Sequence, residues 1–458
     1  MYMKQKSKIA AVLMAISLGV AVLAGCGGTG AISENYPEYA DDRYMWIGGW
    51  DVPINTLADY QMAKDMGLTH MFIDNFMAAK GTPEYYKQLE YCEQVGLKAI
   101  LGSDTALSGA GLGSPENVAI DETDYTLYPA VEMINVWDEP GSAHFGEVAT
   151  RIEKYYDFYE KLGKTAPTMY VNLDPAYHKS HQSSASEENM RVYAEKFVEE
   201  VLTKVQGRKI ISTDIYPLMS SPDGSKFSVL STWLADMETL KEVAVAADAE
   251  FMMFVQNYSE SSRREIMSKE DLAFQIYTDM AFGIDGFSYF TYRQSALNFG
   301  GGCVSKDESC TPFENYYWAQ EINAEIAAFD HVFLAFEKWK GVMTVNGTNN
   351  LEADEEYNND SFILAHPVTK LDCAKSVSAT EDTIIGQFED KDGNSGLMVV
   401  NFNDPLENLY DTVSFEFNKA NRALVYRNGE RKVYEVKDNK LDLEIGVGEG
   451  VFVIPLSL

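Results

Sequence analysis

The sequence predicts an α/β chain: a (β/α)8 TIM barrel followed by a C-terminal all-β sandwich domain. Three observations carry this. From residue 44 to about 340, short apolar runs alternate with amphipathic helical patterns, and eight such units fit this length. Near residue 340 the period changes, and short strands follow one another across tight turns marked by Asp392-Gly393, Asn428-Gly429 and Asp438-Asn439. Between the two patterns of the first block stands an apolar run, Val131 to Val136, that ends in two acids, Asp138 and Glu139, and is stopped by Pro140 and Gly141. Acids at the carboxyl end of a parallel strand sit where such barrels place their chemistry, although a capping acid at a strand-to-helix turn would look the same.

The chain opens with Lys4, Lys6 and Lys8, then an apolar stretch from Ile9 to Val22, then Leu23-Ala24-Gly25-Cys26. Residues 1–25 read as a leader. The last four residues resemble the lipobox of bacterial lipoproteins, which implies cleavage before Cys26 and lipidation of that cysteine. Residues 26–43 are unpatterned and read as a tether. The expected location is therefore the outside of a bacterial cell, anchored to its membrane or surface through lipid at Cys26.

Seventy acidic residues against 37 Lys and Arg give a net charge of −33. Such a surface repels nucleic acid and anionic lipid headgroups, and it favours neutral partners over anionic polysaccharides. No Cys/His spacing suggests a metal site, and no cofactor motif is present; Gly48-Gly49 does not make a dinucleotide fingerprint. Cys303 and Cys310 bracket one loop, and a disulfide or two thiols are both open.

The expected barrel strands are Met45–Trp50, His70–Phe76, Lys98–Gly102, Glu132–Trp137, Thr168–Asn172, Lys209–Tyr216, Phe251–Asn257 and Gly286–Tyr292. Helical patterns fall between them, at Leu57–Met66, Pro83–Val95, Phe145–Leu162, Glu187–Val205, Phe227–Ala247 and Lys269–Phe282. The third unit is irregular and Gly-rich. Residues 341–458 carry the sandwich, with strands expected at Phe362–Ala365, Thr383–Phe388, Leu397–Phe402, Thr412–Phe417, Ala423–Tyr426, Lys432–Val436, Leu441–Ile445 and Val451–Ile454.

Polar and aromatic residues at the carboxyl ends of the eight strands form a rim. It holds Trp50 and Asp51, Asp74 and Asn75, Ser103 and Asp104, Asp138 and Glu139, Asn172 and Asp174, Asp214 and Tyr216, Gln256, Asn257 and Tyr258, and Tyr289, Tyr292 and Arg293. Rings that stack on sugar CH faces, with amides and carboxylates for hydroxyls, suit an oligosaccharide or polysaccharide. Cleaving a glycosidic bond needs a carboxylic acid at the leaving oxygen and a second carboxylate for water or the anomeric carbon.

The segment Pro129-Ala130-Val131 with Ile134-Asn135-Val136-Trp137-Asp138-Glu139-Pro140 resembles the fourth strand of clan-A glycoside hydrolases, where Asn-Glu-Pro is common. The closing run Gly448 to Ile454 is similar to the last strand of sandwich domains that follow such barrels. The resemblance implies a TIM barrel, hydrolysis of O-glycosidic bonds, and Glu139 as proton donor. Asp138 replaces the family's usual Asn. The family's nucleophile is a Glu ending the seventh strand, where this chain has Gln256, with Glu260 several residues on. The second carboxylate is open among Asp214, Glu260, Asp51 and Asp74, in that order. The expected function is a surface-anchored glycoside hydrolase of a neutral glycan; the alternative is a non-catalytic glycan-binding lipoprotein.

Overall fold

The computed structural model describes residues 36–51, 56–73, 78–102, 118–175, 190–220, 227–295, 299–347, 352–353 and 364–458. The expected leader and Cys26 lie outside the described residues. Residues 38–458 form one compact unit. Among the described residues, no helix is long and apolar enough to cross a membrane.

Eight parallel strands close into a barrel: β1 Trp46–Gly49, β2 His70–Ile73, β3 Lys98–Leu101, β4 Val131–Asp138, β5 Thr168–Leu173, β6 Ile210–Thr213, β7 Glu250–Gln256 and β8 Gly286–Phe290. β8 pairs with β1 and completes the ring. All eight expected strands are present, with ends shifted by a few residues. The strands are buried on both faces because side chains fill the barrel inside and helices cover it outside, so their sequences read as apolar runs rather than alternating ones.

The helices follow their own end signals. Helix α1, Leu57–Asp65, starts on a capping box between Thr56 and Asp59. Helix α2, Pro83–Val95, has Thr82 as N-cap, Pro83 in its first turn and a left-handed Gly96 at its end. Then come α3 Phe145–Lys161, α4 Met190–Glu200, α5 Trp233–Ala246 and α6 Lys269–Ala281, followed by α7 Glu314–Ala327 and α8 Asp330–Leu334. The helix expected to begin at Phe227 begins at Trp233 instead. Phe227–Val229 is a short strand that pairs with Leu218–Ser220 in a small added sheet. Its apolar residues satisfied a helical period, but backbone pairing with a neighbouring segment overrode it.

The second block is a sandwich. Its strands are β9 Lys338–Val345, β10 Ala374–Ser378, β11 Thr383–Glu389, β12 Ser395–Asn401, β13 Asp411–Phe417, β14 Arg422–Arg427, β15 Glu430–Glu435, β16 Lys440–Ile445 and β17 Gly450–Leu456. Six make one sheet in the order β9-β11-β12-β17-β14-β15, and three make the other, β10-β13-β16. Residues such as Ile385, Val399, Val413, Phe415, Leu443 and Val453 fill the space between. β9 crosses the expected boundary at residue 340. It and β10 escaped sequence reading because Lys and Ser dilute their apolar pattern. The Phe362–Ala365 strand is absent at its two described residues, 364 and 365. The outer face of the six-stranded sheet lies against α6. A Cβ on Gly386 would fall 2.1 Å from the Ala281 carbonyl oxygen, so only glycine lets sheet and helix approach this closely.

The amino end of the barrel is tied by charge. Arg208 donates from Nε and Nη2 to both Glu250 oxygens at 2.7 and 2.6 Å and from Nη1 to Glu132 at 2.8 Å. His70 lies 3.4 Å from the same Glu132 oxygen. Burial raises the Glu132 carboxyl, but the His70 hydrogen bond and the Arg208 charge more than offset this and hold it below the ordinary carboxylate range.

Candidate active site

The opposite, carboxyl end is built on β4. Its pairing to β5 shifts register between Asn135 and Trp137, a bulge that turns the strand just before its acids. Asp138 still pairs with Asn172, and the Glu139 N–H still donates to the Asn172 carbonyl at 2.9 Å. Glu139 itself has φ 52°, a left-handed conformation that is costly for a residue with a Cβ. In a strand, successive side chains point to opposite faces. The left-handed turn breaks that alternation, and both carboxyls come to act on the same third group, Asp214.

Asp214 follows β6 and is buried. Its carboxyl is hydrogen-bonded to that of Glu139 and accepts from Asn172 Nδ2 at 3.1 Å. Behind Asn172 the network continues inward: Ser212 Oγ donates to Asn172 Oδ1 at 3.0 Å, and the Tyr170 hydroxyl lies 2.6 Å from Ser212 Oγ. Tyr193, on α4, donates its hydroxyl to the Pro140 carbonyl at 2.7 Å and accepts from the Asp174 N–H at 3.1 Å. It ties the turn after β4 to the turn after β5. Trp137 packs against the His144 ring, with centroids 5.5 Å apart, and under the Arg151 guanidinium at 4.8 Å. It is part of the support.

Burial is the largest cause that pushes Asp214 well above its ordinary value, followed by the charge and hydrogen bond of Glu139 and the charge of Asp138. Asp138 is raised to about 7, first by burial and then by Glu139, while Asn172 and Asn135 pull it back. The Asp138 residue is partly exposed, but its Oδ1 is covered and accepts no hydrogen bond. Asn135 makes no hydrogen bond of normal geometry, yet its buried amide lies near enough to favour the ionised Asp138.

Rings gather at the carboxyl ends of β1, β6, β7 and β8. Trp50 and Phe290 are half-buried, and with buried Tyr216, Phe254 and Tyr258 they form one contiguous set of rings. Trp50 packs on Phe254 with centroids 5.7 Å apart, and Phe290 on Tyr216 and Tyr258 at 5.4 and 5.2 Å. Trp50 and Tyr216, both expected at the rim, belong to this set of rings.

Several expected site residues belong instead to the frame. Gln256 is fully buried and its amide is used up: Oε1 accepts from Leu218 N at 2.9 Å, and Nε2 donates to the Leu218 and Arg264 carbonyls at 3.1 and 3.0 Å. Asn257 donates to the Thr291 carbonyl and accepts from Asn315. Tyr289 donates to Asn323 at 2.7 Å on the helical side of the barrel. Tyr292 is buried among Cys303, Tyr316 and Cys310. Arg293 is buried, with Nη1 on the Lys306 carbonyl, and its N–H donates to the Asp51 carbonyl. Asp51 is buried in a left-handed turn, and Glu260 is exposed on the turn closed with Arg263. Neither is among the main influences on Asp138 or Asp214. Asp74, Asn75, Ser103 and Asp104 lie outside the described residues. Cys303 and Cys310 are buried thiols, not a disulfide. Among the described residues, no group of acids, His or Cys could hold a metal ion.

Asn135 gave a readable signal, a polar residue within an apolar run. Tyr193 and Ser212 gave none, since their role depends on which turns the fold brings together.

No family model and no curated protein matches the sequence. Solved structures match the fold. A β-galactosidase from Bacillus circulans sp. alkalophilus is 9% identical over 91% of this chain and 100% of its own, with a TM-score of 0.51. A family 27 β-L-arabinopyranosidase from Geobacillus stearothermophilus is 12% identical over 91% and 97%, with a TM-score of 0.47. A β-galactosidase from Marinomonas ef1 is 11% identical over 63% of this chain at a TM-score of 0.40, and the chain spans 60% of that protein's length. At these identities the likeness is one of fold: a TIM barrel followed by a β-sandwich, as in glycoside hydrolases of the clan that the fourth-strand motif resembles.

Proposed function

We propose that the chain is a glycoside hydrolase that cleaves O-glycosidic bonds of a neutral glycan, with Glu139 as general acid. The observation that carries this reading is Glu139 set against buried Asp214, beside Asp138, at the carboxyl end of the barrel, where burial and these neighbours push the Asp214 carboxyl up. A lone exposed carboxylate has lost its proton at neutral pH; burial and neighbouring carboxylates favour the protonated form that a leaving oxygen needs. The aromatic half of the rim supports a sugar partner. The test is turnover of a panel of aryl glycosides and neutral oligosaccharides by wild type and Glu139→Gln. The substitution keeps the shape and removes the acid, so it lowers kcat/KM on oligosaccharides by about 10²-fold or more. Equal activity of the two proteins removes Glu139 from the mechanism.

Gln256, with its amide bound into the frame, favours a second reading: a barrel that binds glycan without cleaving it. Oligosaccharide binding with no turnover by wild type selects it.

The protein is further proposed to be exported and anchored by lipid at Cys26, on the strength of Leu23 to Cys26. Cys26→Ser leaves it unprocessed or released. Membrane partitioning like that of the parent, after confirmed leader cleavage, contradicts the anchor.

A further inference from the structure

A hydrolase with Glu139 as acid still needs a nucleophile, and the arrangement of acids restricts what it is. Direct attack by a carboxylate puts the two carboxyls about 5 Å apart, and activation of water puts them about 6.5–9.5 Å apart. Asp214 sits against Glu139 and bonds Asn172, so it is bound into the support of the acid. Gln256, at the end of β7, has no carboxylate and no unused amide. Among the described residues, neither Asp51 nor Glu260 is among the main influences on the acids.

What the site does have is a second acid one residue from the first. Because Glu139 is left-handed, Asp138 and Glu139 converge on one side instead of alternating. Acids on consecutive residues that converge are spaced for substituents on consecutive ring carbons: the leaving oxygen on C1 and whatever C2 carries. Asp138 Oδ1, which no protein group donates to, calls for a donor from outside.

Resting on the hydrolase reading, we infer that the substrate is a 1,2-trans glycoside of a 2-acetamido sugar, and that its own acetamide oxygen is the nucleophile. Asp138 accepts the acetamide N–H and aims the carbonyl oxygen at C1. That oxygen forms a bond to C1 as the C1–O bond to the aglycone breaks; the electron pair leaves on the glycosidic oxygen, which takes the proton of Glu139. The amide proton passes to Asp138, leaving a neutral oxazoline. Glu139, now a carboxylate, takes a proton from water as the water oxygen attacks C1. The ring C1–O bond returns its pair to the acetamide oxygen, and Asp138 gives back the proton to nitrogen. Two inversions at C1 give net retention. Attack from the face opposite the leaving group requires the 1,2-trans arrangement. A raised Asp138 suits a group that takes and returns an amide proton near neutral pH. Acetamido sugars are also neutral, as the charge of the chain favours.

The test uses wild-type protein and needs no variant to fold. 4-Nitrophenyl 2-acetamido-2-deoxy-β-glycosides of gluco and galacto configuration are compared with their 2-hydroxy counterparts. The acetamides are then replaced by mono-, di- and trifluoroacetamides, which weaken the carbonyl nucleophile. The expected result is a preference for acetamido over hydroxy substrates on the order of 10²-fold or more, and a fall of similar size across the fluorinated series. Turnover of 2-hydroxy glycosides at equal or greater rate overturns the inference and leaves the hydrolase reading standing. So does an acetamido preference that fluorination does not touch. No turnover of any substrate overturns both.

Discussion

The two ends of the barrel treat their acids in opposite ways. At the amino end, Glu132 and Glu250 are gripped by Arg208, and the charge of Glu132 is favoured. At the carboxyl end, Asp138 and Asp214 are acted on mainly by burial and by other carboxylates, and both are pushed up. The first arrangement stabilises ions and closes the base of the barrel. The second disfavours the ionised form. The contrast separates structural acids from chemical ones within one fold, by the sign of their shift rather than by their number.

That contrast can be broken from either end. The largest expected effect is at the pair. Asp214→Asn keeps a hydrogen-bonding side chain beside Glu139 but cannot share a carboxyl proton. It lowers kcat/KM by about 10²-fold and removes the contribution of the raised Asp214 carboxyl to the alkaline limb of the pH profile. An unchanged alkaline limb, with activity lost all the same, reduces Asp214 to a packing role.

The next effect is on stability. The folded Asp138 carboxyl titrates at about 7, above its unfolded value, so the folded protein binds more protons than the unfolded chain between roughly pH 4 and 7. Ionised Asp138 therefore costs stability, in full above pH 7 and hardly at all near pH 4. Asp138→Asn removes that cost. Denaturant unfolding shows a gain on the order of 1–3 kcal/mol at pH 8 that shrinks toward pH 4, in a protein whose glycosidase activity is lost. Equal stability of the two proteins at pH 8 sinks this assignment.

The smallest effect belongs to the amino end. Arg208→Gln frees two carboxylates in a partly exposed site and lowers stability by about 1 kcal/mol, with kcat/KM within twofold of wild type. A large loss of activity in this variant would mean that the two ends are not independent.

Most of the fold was legible in the sequence. All eight barrel strands and six helices followed from apolar runs, caps and breakers, because each strand is buried on both faces and most of the helices on one, Lys269–Ala281 being buried all round. Lys338–Val345 and Phe227–Val229 were not, since each exists through backbone pairing, the first with a distant strand and the second with a neighbouring segment. In the site, Asp138, Glu139 and Asp214 were readable as acids at strand ends. Their mutual contact was not, because it depends on a bulge between Asn135 and Trp137 and on the left-handed Glu139. Gln256, Asn257 and Tyr289 looked like rim residues by position, but the structure uses their polar atoms inside its frame. A polar residue at a strand end marks either a site or a join, and only its partners tell which.

The central claim is that the carboxyl end of the barrel delivers a proton through Glu139. The measurement that tests it most directly is the dependence of the Glu139→Gln rate on the leaving group. An oligosaccharide, whose departing alkoxide needs protonation, should lose about 10²-fold or more. A 2,4-dinitrophenyl glycoside of the same sugar, which departs without help, should keep a rate close to wild type for the bond-breaking step. Equal losses on both substrates, or no loss on either, would contradict the account.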